Sequence, residues 1–187
     1  MNLILFGPPG AGKGTQAKYL VKKLNNFQIS TGEMLRNEIQ KNSLIGKEII
    51  NDMNHGRFVS DEIVNSLIEK ILSDPKKKNR LIFDGYPRSL SQAKNLENLL
   101  EKTNQNIDFV FFLNVDKEVI IKRIENRRII EKRSDDDLKT FIKRYDTYMA
   151  TTKPVLDFYS QNSNFYEIDG AAEIAEITAK IDNIINV

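Results

Sequence analysis

The stretch Leu3-Ile-Leu-Phe-Gly7-Pro-Pro-Gly-Ala-Gly12-Lys13-Gly14-Thr15 decides the reading of this 187-residue chain. A short run of apolar, β-type residues leads into a glycine-rich turn, a lysine follows, and Gln16 to Leu24 continues as a helix-compatible run. That order is what a phosphate cradle requires. The strand anchors the loop, and the glycines let backbone N–H groups converge on phosphate oxygens. Lys13 adds a point charge and the helix N-terminus adds its dipole. The spacing Gly7-x4-Gly12-Lys13 is that of a P-loop, which makes Gly10, Ala11, Gly12, Lys13, Gly14 and Thr15 the candidate phosphate-binding residues. Gly14 stands where a Ser or Thr would normally hold Mg²⁺, and the hydroxyl comes one place later, at Thr15.

Outward from this loop, composition limits what else the chain can do. Its length supports one well-buried domain rather than two. A net charge of +2 and a pI of about 8.6 provide no global basic field, so nucleic acid is not an expected partner and any anion site must come from local clustering. The absence of cysteine excludes disulfides, cysteine zinc sites and a thiol nucleophile. The single histidine, His55, sits in the turn-like run Asn54-His55-Gly56-Arg57 and reads as a solvated loop residue, not a triad member. Met1 to Phe6 lacks the basic start of a signal peptide, and no apolar run approaches the length of a membrane span. The expected location is the cytoplasm, without a membrane partner.

Strand-like runs recur at Leu3–Phe6, Phe27–Ser30, Leu81–Asp84, Phe109–Val115 and Phe165–Asp169. Helical periodicity fits Lys13–Leu24, Thr31–Gln40, Leu44–Asn54, Asp61–Leu72, Leu90–Lys102, Lys117–Arg128, Asp135–Ser160 and Ala172–Ile185. This alternation predicts an α/β fold: a five-stranded parallel sheet covered by helices on both faces. Pro154 is expected to kink or divide the long helix from Asp135. Capping-box patterns mark Ser30-x-x-Glu33, Ser89-x-x-Gln92 and Ser134-x-x-Asp137. Between the second and third strands, Thr31–Val59 exceeds what a simple crossover needs and reads as an inserted helical subdomain. Lys76-Lys77-Lys78, beside Asp74-Pro75, reads as a solvated loop.

In open α/β sheets, ligands bind at the carboxyl ends of the strands. Those ends here carry the phosphate loop, Ser30-Thr31-Gly32, Asp84-Gly85-Tyr86-Pro87-Arg88 and Asp169-Gly170. A triphosphate alone does not explain the arginines. Arg36 and Arg88 follow two of these ends, Arg123 and Arg127 are i,i+4 on one helix face with Arg128 adjacent, and Arg133 and Arg144 lie further along. A guanidinium fork suits phosphate oxygens, and two groups of arginines suggest two phosphorylated ligands with a phosphoryl group passing between them. Pairing with surface carboxylates is the bland alternative for each arginine taken alone. Asp84, closing an apolar strand, can lie beside the P-loop and hold the hydration shell of Mg²⁺, or simply form an Asp-Gly turn. Gln92 either caps a helix with Ser89 or reads a base edge.

The chain resembles the nucleoside monophosphate kinases, and most closely the adenylate kinase family. The resemblance rests on residues 7–15, on Ser30-Thr31-Gly32-Glu33-Met34-Leu35-Arg36, and on Asp84-Gly85-Tyr86-Pro87-Arg88 with Gln92. Arg123-x3-Arg127-Arg128, Arg133-Ser-Asp135-Asp136, Arg144 and Asp169-Gly170 extend it over essentially the whole chain. It implies a P-loop NTPase-type core (1–29 and 60–187), an NMP-binding insert (30–59) and a very short lid loop (128–134). It implies the reaction MgATP + AMP ⇌ 2 ADP by in-line transfer, with Mg²⁺ as cofactor, no zinc, no covalent intermediate and a monomeric enzyme. Lys13 and the loop amides would hold the ATP phosphates, Arg127 and Gly170 would lie at the ATP end, and Asp84 would act on Mg²⁺ through water. Arg36 and Arg88 would hold the AMP phosphate, with Thr31, Leu35, Arg57, Val59, Gly85 and Gln92 completing that site. Arg123, Arg133 and Arg144 would stabilise the transferring group. Thr31 and Gln92 favour adenine, because the similar uridylate/cytidylate kinases, the alternative reading, have Ala and Asn there. A P-loop switch without an acceptor is the more distant alternative. Only Ile129-Ile-Glu-Lys132 separates Arg128 from Arg133, so closure is expected from the insert plus a small arginine loop.

Overall fold

The computed structural model describes residues 1–131 and 137–186. Five strands form one sheet: β1 (Leu3–Phe6), β2 (Phe27–Ser30), β3 (Leu81–Asp84), β4 (Phe109–Asn114) and β5 (Phe165–Asp169), in the spatial order β2-β3-β1-β4-β5 with every neighbouring pair parallel. The strands read as nearly continuous apolar runs because both faces are covered, and successive side chains go to opposite faces. Leu3, Leu5, Ile82, Phe111 and Leu113 join one core, packed under α1 (Lys13–Leu24), α6 (Lys117–Glu131), α7 (Leu138–Thr147) and α9 (Ile174–Ile185). Ile4, Phe6, Leu81, Phe83 and Val110 join the other core, under α4 (Asp61–Leu72), α5 (Leu90–Lys102) and α8 (Lys153–Ser160). The strand order reverses about β1, so the loop after β1 stands over the crevice where α/β sheets bind ligands.

The insert is an antiparallel-type pairing of α2 (Thr31–Gln40) with α3 (Leu44–Asn54), joined by a turn at residues 41–43. Ser43 caps α3 by accepting from Gly46 N at 2.9 Å, and its hydroxyl donates to Glu38 at 2.6 Å, which ties the two helices across their turn. Exposed His55 follows the last turn of α3.

Several boundaries differ from expectation. Strand β4 stops at Asn114, one residue short of Val115, and Gly170 N donates to the Asn114 carbonyl at 2.8 Å. Helix α6 runs on to Glu131, so residues 128–131 of the expected lid loop are helical; the rest, with Arg133, Ser134 and the start at Asp135, lies outside the described residues. Asp137 is not within the long helix but caps α7, accepting from Thr140 N at 3.0 Å. Helix α9 begins at Ile174, two residues after Ala172. Pro154 does divide the long helix, by a route not anticipated. Its missing N–H and its ring disfavour the i→i−4 bond to residue 150, and the chain widens into a π turn at Tyr148–Thr152, with Lys153 N bonding the Tyr148 carbonyl.

Candidate active site

The cradle forms as its sequence requires. Gly12 occupies the N-cap of α1 at φ +97°, a region L side chains avoid, and an added Cβ there would meet nothing within 4 Å. The loop is therefore open on the side where a ligand enters. Lys13 Nζ donates to the Gly7 carbonyl at 2.7 Å and the Pro8 carbonyl at 2.9 Å, which curls the loop around its own ammonium. Burial lowers this ammonium to about 8. The Asp84 carboxylate opposes that shift, and the charges of Arg88, Arg144 and Arg127 reinforce it. Three expected phosphate-handling arginines and the expected magnesium carboxylate thus act on one lysine.

A cleft of about 430 Å³ joins these parts. Its lining includes the loop from Gly10 to Thr15, Asp84, Gly85, Arg36, Arg88, Arg123, Arg127 and Arg144. Asp84 closes β3 and is oriented by Gln28 on neighbouring β2, whose amide donates to Oδ2 at 2.9 Å. A Cβ at Gly14 would lie 3.7 Å from the same oxygen. The place where a P-loop hydroxyl would project therefore borders the carboxylate.

Arg88 is held rather than loose. Its Nε donates to the Gly85 carbonyl at 2.7 Å, Nη2 reaches Thr31 Oγ1 at 3.3 Å, and the guanidinium lies 5.0 Å from the centre of the Phe58 ring. Thr31 in turn donates to Gly85 O at 2.7 Å. Gly85, at φ +77°, leaves no room for more: a Cβ would stand 2.9 Å from Arg88 Nη2. Beside this clamp, Thr31, Leu35, Phe58, Val59, Val64, Gly85, Arg88 and Gln92 line a smaller pocket. Six residues expected around one base and phosphate, scattered over more than fifty positions of sequence, meet there.

Arg123 lines the same cleft as Lys13 and donates to the carbonyls of Gly170 at 2.8 Å and Ala171 at 3.4 Å. Arg127, one turn further along α6, is the one whose charge reaches Lys13. Spacing placed both on one helix face but could not say which end of the cleft each reaches. Arg57 is outside the cleft lining: half-exposed, it pairs with Asp52 at 2.8 Å. Arg133 lies outside the described residues.

Four contributors escaped the sequence reading. Gln28 orients Asp84, Phe58 stacks on Arg88, Thr152 donates to the Arg88 carbonyl at 3.0 Å, and Asp61 bonds the Gln92 amide at 2.6 Å. Only Phe58, between Arg57 and Val59, had a signal, as an aromatic flanked by two residues already singled out.

A P-loop-type turn, a strand-end carboxylate and an arginine anchored on Gly85 and Thr31 share one cleft, on the α/β fold of the P-loop nucleotide-binding proteins. A family model described as adenylate kinase matches residues 5–164. An adenylate kinase of Pelagibacter ubique is 50% identical over the full length of both chains. One from Caulobacter sp. strain K31 is 42% identical, covering 100% of this chain and 99% of that one, and one from Mycoplasma capricolum is 40% identical over 90% of this chain and 91% of its own. This chain belongs to the adenylate kinase family. Among the described residues no helix is long and apolar enough to cross a membrane.

The lowered Lys13 carries a measurable consequence. In the free enzyme its charge is lost as pH rises through about 8, whereas bound phosphates favour the ammonium. Nucleotide binding above that pH is expected to take up a proton, with log Kd rising toward about one unit per pH unit. Calorimetry of ATP binding in buffers of different ionisation enthalpy reads the uptake directly, and pH-independent binding between 7 and 9.5 would remove the assignment.

Proposed function

We propose that this chain transfers a phosphoryl group reversibly from MgATP to AMP, giving two ADP, directly between two nucleotide sites. One observation carries the reading: the Arg88–Gly85–Thr31 clamp and its small pocket open on the same cleft as the Lys13 cradle but are built from different elements. A nucleotide switch or a simple hydrolase has no need of a second phosphate clamp.

In this reading the loop amides and Lys13 hold the donor's β- and γ-phosphates, and Arg123 with the Gly170 turn borders its base. Arg36 and Arg88 hold the acceptor phosphate. Arg127 and Arg144, whose charges converge on Lys13, balance charge on the transferring group, with Arg133 assigned there by resemblance alone. Such transfer asks for positioning and charge stabilisation, and no side chain has to form a covalent bond. The residues present fit a magnesium ion. Asp84 is held in place by Gln28 beside the P-loop helix, and among the described residues no cluster of three carboxylates or histidines offers a full ligand set, so the ion would be shared with nucleotide phosphates and water. Magnesium would supply neutralisation of the charge on the bound phosphates. Residues 30–59 would act as the acceptor-binding insert and close over the acceptor to exclude water.

ADP formation from MgATP with AMP, CMP, UMP, GMP or no acceptor tests this. Activity is expected with AMP well above the others. Preference for a pyrimidine would overturn the base pocket, and equal activity without acceptor would overturn the two-site reading.

A further inference from the structure

Asp61 opens α4 just beyond the insert and is not itself part of the cleft lining. Its two oxygens are engaged with one side chain's surroundings. Oδ1 accepts from Gln92 Nε2 at 2.6 Å, and Oδ2 accepts from Ser89 Oγ at 2.9 Å. Ser89 Oγ also accepts from Gln92 N at 3.1 Å, so its single proton is committed to Asp61. At the other end of the Gln92 amide, Oε1 accepts from Arg88 N at 2.7 Å. Gln92 is 2% exposed, so water does not substitute for any of these partners.

The chemistry of the two partners settles which way the amide faces. A carboxylate only accepts and a backbone N–H only donates. Turning the amide over would set its NH₂ against the Arg88 N–H and its oxygen against the Asp61 carboxylate, leaving two buried mismatches. The amide keeps one N–H and one lone pair for a ligand, at fixed positions in the pocket lined by Thr31, Leu35 and Val59.

We propose that Asp61 is a specificity-determining positioning residue: by locking the Gln92 amide in one orientation, it makes the acceptor pocket take a 6-aminopurine monophosphate and refuse the 6-oxo analogue. This rests on the reading of Gln92 as a base-contacting residue. A 6-aminopurine presents an amine beside an unprotonated ring nitrogen, whereas a 6-oxopurine presents a carbonyl beside a ring N–H. The two edges need opposite amide orientations, and discrimination between them is large when a buried polar group cannot turn to adapt.

The test compares AMP with IMP, which differ only at this edge, in the full-length enzyme and in Asp61→Asn. Asparagine keeps the size of the side chain but offers both a donor and an acceptor, so it accepts either face of Gln92 and leaves only the Arg88 N–H to favour the native orientation. The ratio of kcat/KM for AMP to that for IMP is expected to fall by about tenfold or more, through higher KM for AMP and lower KM for IMP, with KM for ATP unchanged. A merely structural role would move both acceptors together and leave the ratio alone. An unchanged ratio in Asp61→Asn overturns the proposal. Gln92→Leu, measured in parallel, separates the two levels. If it too leaves the ratio unchanged, the base-contacting role of Gln92 fails; if it collapses the ratio while Asp61→Asn does not, only the orienting role of Asp61 fails.

Discussion

Replacing Lys13 by alanine is expected to lower turnover by about three orders of magnitude, the scale reached when a preorganised charge at a transferring group is removed. The fold should survive, because the side chain's own bonds are to the Gly7 and Pro8 carbonyls at the rim of the loop and not to the core. The sign of the stability change follows from the lowered ammonium. A lysine that releases its proton near pH 8 when folded and near pH 10.5 when unfolded disfavours folding at neutral pH, and that penalty fades as pH rises between the two values. At pH 7 the variant should therefore melt no lower than the parent. Steady-state assays with a thermal melt check both halves, and activity within a few-fold of the parent would dismantle the phosphate-cradle assignment.

Arg88→Ala carries the second large effect. If Arg88 holds the acceptor phosphate as proposed, losing its part-buried guanidinium is expected to weaken AMP by roughly a hundredfold while leaving ATP within a few-fold. The asymmetry is what matters, since Arg88 also supports Gly85 and Thr31 on the acceptor side and touches no expected donor group except through its charge on Lys13. Binding of each nucleotide alone, measured separately, decides it; equal losses would erase the distinction between the two sites.

The cradle was legible because every part of it is local: strand, glycines, lysine and helix fall within some twenty residues, and each has one job. The parallel sheet was legible for a similar reason, since strands buried on both faces carry apolar runs that stand out between amphipathic helices. What escaped depends on contacts between distant segments. Arg123 and Arg127 share a helix face, and only the Gly170–Ala171 carbonyls reveal that one of them belongs to the far end of the cleft. Gln28 and Asp61 are ordinary polar residues until β2 pairs with β3 and α4 packs on α5. Pro154 announced a break, but the particular repair, one wider turn instead of a kink, depends on what residues 148–152 meet around them. Arg57, assigned to the acceptor site by the resemblance, pairs with Asp52.

That wider turn has an effect beyond the helix it interrupts. It sets the Thr152 hydroxyl on the carbonyl of Arg88, and the same backbone, nine residues long, begins at Arg144. Under the proposed roles, the group that grips the acceptor and a group that attends the moving phosphoryl are fastened to one strut. A shift at either end would be passed along this helix and the Thr152 hydrogen bond to the other, which would couple the two nucleotides. Linkage then requires that each change the other's affinity by the same factor, which makes cooperativity a property of the scaffold and not of the substrates alone.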